Sequence, residues 1–98
     1  MRQDLRFRTA AGGDLRFSPP WDDEIAVFHP ASTEILVVTP LAASVLQAVQ
    51  MRAAAAIEDI CSDLRDQARE IGSEELRAGV EALLIEFERL GLVEAHVP

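Results

Sequence analysis

Ninety-eight residues, 49% of them hydrophobic and 27% charged, support one folded domain and leave no length for a second. Nine basic side chains, all arginine, against seventeen acidic ones give a formal charge of -8, which disfavours an unspecific hold on nucleic-acid phosphates or an anionic membrane. A single cysteine excludes an internal disulfide and a cysteine-rich metal framework, and no apolar run has the length of a signal core or membrane span, so the expected setting is the reducing cytoplasm.

The chain opens with Asp4-Leu5-Arg6-Phe7 and Asp14-Leu15-Arg16-Phe17, two alternating tetrapeptides separated by a stretch containing Gly12-Gly13. Either one reads as a half-buried edge strand, and four shared residues are too few to establish a repeat. Ser18-Pro19-Pro20 breaks regular structure, since two prolines remove two amide donors. Trp21 is expected to cap the core from a loop, and Asp22-Asp23-Glu24 to form a solvated turn.

Glu24 to Phe28 reads as a strand, His29 to Thr33 as a connecting loop and Glu34 to Val38 as the antiparallel return strand of a hairpin. The return strand is apolar on both faces, because Ile35 and Val37 share one face while Leu36 and Val38 share the other. One face packs on helices. The other stays exposed unless a partner covers it, and an uncharged exposed strand invites another strand to pair.

Thr39 caps a first helix from Pro40 to about Gln50, with proline at the position whose amide needs no partner. Ile57, Ile60, Cys61, Leu64, Ala68 and Ile71 share one face of a second helix that Gly72 ends, which makes Cys61 a buried, inert thiol. Ser73 is expected to cap a third helix with Glu74 and Glu75 in its first turn and an apolar face through Leu76, Val80, Leu83, Leu84, Phe87 and Leu90. Gly91 stops it, and Leu92-Val93 adds a short final strand or folds back on the core. Strands followed by helices define the α+β class, and the helical half suits a winged-helix-like arrangement.

Catalytic chemistry is missing from this sequence. His29 and His96 lie at no ligand spacing from each other or from Cys61, there is no lysine, and no phosphate loop or nucleophile elbow occurs. The expectation is no enzyme, no metal and no cofactor. The third helix also argues against a DNA-reading role, because Glu74, Glu75, Glu81, Glu86 and Glu88 outnumber Arg77 and Arg89.

Taken together, Trp21-Asp22-Asp23-Glu24, His29-Pro30, the strand Glu34 to Val38, Thr39-Pro40-Leu41-Ala42-Ala43-Ser44-Val45-Leu46 and the ending Glu88-Arg89-Leu90-Gly91-Leu92-Val93 resemble the PqqD-like peptide chaperones, or RiPP recognition elements. The nearest resemblance is to the branch associated with HPr-rel-A systems. It implies a winged-helix-like fold, an N-terminal antiparallel three-stranded sheet packed on three helices, in a single domain over residues 1–98. Residues 1–20 would be an edge strand or a partly flexible segment, and 94–98 a tail. It also implies a non-catalytic module that holds the leader of a ribosomally made precursor peptide and presents it to a modifying enzyme. On this resemblance the backbone of Ile35, Leu36, Val37 and Val38 pairs with the leader, and Arg77, Val80, Glu81 and Leu84 line the groove. Two alternatives stand beside it, a structural homodimer through the same edge strand and a winged-helix DNA-binding regulator.

Overall fold

The structure is a computed structural model that describes residues 5–10, 15–30, 33–52 and 54–96. Asp4, Gly12-Gly13, Asp14, the Ala31-Ser32 part of the hairpin loop, Ala53 and the last two residues of the tail lie outside the described residues. Among the described residues the order is β1 (Arg6–Thr9), β2 (Arg16–Phe17), β3 (Ile25–His29), β4 (Glu34–Val38), α1 (Pro40–Arg52), α2 (Ile57–Leu64), α3 (Ser73–Arg89) and β5 (Val93–His96). This is the expected α+β arrangement of a small antiparallel sheet and three helices.

The sheet has the order β2-β3-β4, with Ile25 opposite Val38 and His29 opposite Glu34. Its inner face carries the buried Ile25, Val27 and His29. The β2–β3 connection ends in a tight turn in which Trp21 and Glu24 exchange both backbone hydrogen bonds, at 2.8 and 2.9 Å. Asp22 and Asp23 both have positive φ, 51° and 60°, the geometry of a type I′ hairpin turn, which Asp tolerates better than branched residues do. That turn overturns the expectation for Trp21. Lifted to the hairpin tip, its ring is 77% exposed and caps nothing.

A second, two-stranded ribbon pairs β1 with β5, antiparallel, Phe7 opposite Ala95 and Arg8 opposite Glu94. Arg8 and Glu94 also form a cross-strand ion pair at 3.2 Å. On its other side β1 meets the α1–α2 connection, where Phe7 and Ala55 exchange backbone hydrogen bonds at 2.8 Å each. Phe7 is buried within the core that α1, α2 and α3 build with β3 and β5.

The helix starts and stops follow from capping chemistry. Thr39 Oγ1 accepts from the Ala42 amide at 3.2 Å, as expected, and α1 runs two residues past its expected end, to Arg52. At the start of α2, Ala56 has no side chain to cap the first-turn amides, and only the reciprocal half of a capping box forms: Asp59, three positions in, accepts from the Ala56 amide at 3.1 Å. The Asp59 carboxylate also takes Arg6 of β1 at 3.4 Å, joining this helix start to the ribbon.

Two helix boundaries differ from expectation. α2 ends at Leu64 rather than before Gly72, with the Arg65 amide turning to Ser62 and successive turns carrying Ala68 back to the core. Such turns return a side chain every three to four residues, so the apolar spacing persists without a helix. Ser73 is the first helical residue of α3, and Gly72 stands at the cap position with no side chain to offer.

The far end of α3 closes as a Schellman motif. The Leu92 amide donates to Phe87 at 2.9 Å and the Gly91 amide to Glu88 at 3.0 Å, with Gly91 at φ 82°. A Cβ there would meet no neighbour within 4 Å, so the whole cost of a side chain is conformational. Gly91→Ala is expected to lower stability by about 1–2 kcal/mol, read as a lower urea midpoint at unchanged slope.

Candidate functional site

Because the sheet order is β2-β3-β4, one edge of β4 faces away from β3. Which backbone groups stand on that edge follows from the hydrogen bonds of β3. Ala26 turns both of its backbone groups toward β2: its carbonyl accepts from the Ser18 amide at 2.9 Å, and its amide donates to Ser18 Oγ at 2.9 Å. In an antiparallel ladder the direction alternates, so Ile25, Val27 and His29 bond to Val38, Leu36 and Glu34 across the β3–β4 pair. Ile35 and Val37 therefore direct their amides and carbonyls outward.

Side chains at the same two positions are also outward. Ile35 is 67% exposed and Val37 60%, whereas Leu36 and Val38 are half-buried against the core. Apart from Glu34 at its first position the strand carries no charge, and Ile35 to Val38 offer neither lysine nor proline against pairing with another strand.

The α3 residues of interest divide by burial. Val80 and Leu84 lie within the core, 1% and 0% exposed, and present almost no surface of their own. Glu81 is half-buried, and Arg77 is exposed. Arg77 donates to Glu58 of α2 at 2.5 Å, which holds the Glu58 carboxyl below its ordinary range and raises the guanidinium above its own. The Arg77 flank of α3 thus turns toward α2. The helix packs chiefly on α2, α1 and β5, and β4 packs chiefly on β3.

Charge along α3 is acidic in the folded molecule too. Arg77 is occupied by Glu58 and Arg89 by Glu86, while among the described residues Glu74, Glu75, Glu81 and Glu88 have no ion pair. A helix of this kind repels phosphates and suits a ligand carrying basic groups.

Burial raises the Cys61 thiol above its ordinary pKa, the opposite of activation. Among the described residues no three His, Cys, Asp or Glu side chains gather as metal ligands. An open cleft of about 510 Å³ between α1 and the α2 region is bordered by the Arg52–Asp63 ion pair and the Ser44–Gln67 hydrogen bond. Among the described residues no helix is long and apolar enough to cross a membrane.

Sequence reasoning missed four further large apolar groups at the surface, Trp21, Met51, Ile85 and Leu90, the last of which was expected on the buried face of the third helix. Trp21 belongs to the outer face of the sheet, a placement signalled by the alternation Glu24-Ala26-Phe28 carried back through a two-residue turn. Ile85 of α3, 46% exposed, stands off the Leu76-Val80-Leu84-Phe87 stripe.

The family described as coenzyme PQQ synthesis protein D (PqqD) matches residues 24–93 of this chain. The match opens at the β3–β4 hairpin, takes in all three helices and closes at the first residue of β5. No curated protein and no solved structure matches.

Proposed function

The chain belongs to the PqqD family, and from that premise we propose that it is a non-catalytic module that holds the leader of a ribosomally made precursor peptide and presents it to a modifying enzyme. The observation that carries this reading is the outer edge of β4, which no described strand pairs and where Ile35 and Val37 offer two amides and two carbonyls beside exposed apolar side chains. An added strand satisfies those four groups, which gives affinity, while its alternating side chains give selectivity. At about 0.5–1.5 kcal/mol net for each hydrogen bond, with a few buried apolar side chains at about 1.5–3 kcal/mol each, micromolar binding survives the cost of ordering the peptide.

In this proposal Ile35 to Val38 form the pairing wall, Arg77 and Glu81 border the opposite wall on α3, and Val80 and Leu84 support it from within the core. The unpaired acids of α3 favour a leader with basic residues near that wall. The cytoplasm is the setting in which such a leader is made. Assignment to the HPr-rel-A-associated branch rests on Trp21-Asp22-Asp23-Glu24 and on the helix start Pro40-Leu41-Ala42-Ala43.

The test is an amide-resolved NMR titration of the full chain with synthetic leaders taken from precursor genes neighbouring its own. Shifts concentrated in residues 34–38 and 76–88 are expected. Shifts confined to other surfaces, or none with any neighbouring leader, would sink the reading.

A further inference from the structure

A sheet with helices on one side ordinarily shows water a polar second face, and here exposed apolar side chains share that face with its charges. The outer face of β2-β3-β4 is built in rows. Arg16, Phe28 and Ile35 lie side by side in one row, Ala26 and Val37 in the next, and Trp21 with Glu24 at the tip in the last. Trp21, Ile35 and Val37 are each at least 60% exposed on it, and Ala26 and Phe28 half-buried.

The charges on this face are arranged to complement a copy of itself. Arg16 stands at one end, and Asp22, Asp23 and Glu24 stand at the other. Among the described residues none of the four has an ion pair, although every other described arginine except Arg65 and Arg69 has one. Four steps separate Phe28, the neighbour of Arg16, from Glu24 along β3, roughly 13 Å at strand rise, too far for Arg16 to reach the acids within one copy. A two-fold axis lying across the strands through the Ala26–Val37 row exchanges the two ends. It sets Arg16 and Phe28 of one copy over Trp21 and Glu24 of the other, with the small Ala26 at the centre where the sheets come closest.

We propose that this outer sheet face is a self-complementary interface through which two copies of the chain associate sheet to sheet. Aligned packing of two faces about 10 Å apart is an ordinary geometry for antiparallel sheets. Arg16 then pairs with the acidic hairpin tip of the second copy and covers the face of its Trp21, an arrangement favourable to a cation over an indole. A three-stranded face of roughly 14 by 17 Å is small beside a stable dimer interface, so the association is weak and reversible. It leaves the outer edge of β4 uncovered, and it stands whether or not that edge takes a leader.

Sedimentation velocity on the full chain, from micromolar to millimolar, tests the proposal, with the emission of Trp21, the sole tryptophan, followed in parallel. The mass is expected to rise with concentration from 10.7 kDa toward twice that value, with a blue shift of the emission. Arg16→Glu is expected to raise the dissociation constant at least tenfold, and adding Glu24→Arg to the same chain to restore it. Both positions are exposed, and circular dichroism checks that the variants fold. A monomeric mass throughout overturns the proposal, and so does loss on Arg16→Glu without rescue by Glu24→Arg. Self-association abolished by Val37→Pro but indifferent to Arg16→Glu is edge-to-edge pairing, and also overturns it. Leader binding is read separately, by calorimetry on the same variants, so a failure of either idea is visible without the other.

Discussion

Val37→Pro is expected to leave the fold intact and to weaken leader binding by about ten- to a hundredfold. The separation is possible because the Val37 amide points away from β3: the β3–β4 bonds are made at Val38, Leu36 and Glu34, and none uses Val37. Proline is tolerated on an edge strand when its missing donor faces outward, and the residue before it, Leu36, already has the extended backbone that proline demands. In the complex the same substitution removes one donor and leaves a leader carbonyl buried without a partner. That costs about 1–3 kcal/mol, and each 1.4 kcal/mol is a factor of ten. Val37→Ala separates the two contributions of the position, since it keeps the amide and trims only the side chain. Titration calorimetry should show the proline variant much weaker than the alanine variant, with both retaining the native circular dichroism spectrum. A folded proline variant that binds a leader as tightly as the parent chain would remove the edge of β4 from the mechanism.

Much of this edge was legible in the sequence because its determinants are local. The alternation of Ile35 to Val38, the cap at Thr39-Pro40 and the stop at Gly91 each depend on a few neighbouring residues, and each appears in the structure where its chemistry puts it. What was not legible depends on distant pairings or on competing local solutions. Two outcomes shared the same apolar spacing after Leu64, a continued helix and a run of turns, and periodicity does not separate them. Trp21 read as a core anchor because a lone large aromatic is usually buried, and only the paired positive φ values of Asp22 and Asp23 lift it outward. On α3, the stripe of Leu76, Val80, Leu84 and Phe87 announced a buried face, but its full burial is decided by α1, α2 and β5 together. The same holds for β5, whose partner is β1, at the opposite end of the chain.

That last pairing has the larger energetic consequence, because it makes a segment well before the family-matched span part of the folded unit. Phe7 lies seventeen positions ahead of Glu24, where the match begins, yet its ring is 1% exposed and its backbone is bonded to Ala55. Phe7→Ala is therefore expected to cost about 3–5 kcal/mol, the usual price of emptying a buried aromatic site. A domain of this size commonly holds only about 5–15 kcal/mol, so roughly a fifth or more of its stability rests on this one ring. The neighbouring Arg8 provides the contrast. Its ion pair with Glu94 is about half exposed, and surface pairs of that kind contribute about 0–1 kcal/mol, so Arg8→Ala should barely move the unfolding midpoint. Urea unfolding of the two variants measures the difference directly. Should Phe7→Ala unfold at the midpoint of the parent chain, β1 would be an appendage and the matched residues 24–93 would suffice as the domain. A large loss instead means that the β3–β4 hairpin is supported by the β1–β5 ribbon, and that removing the first strand would weaken the hairpin through the core it shares.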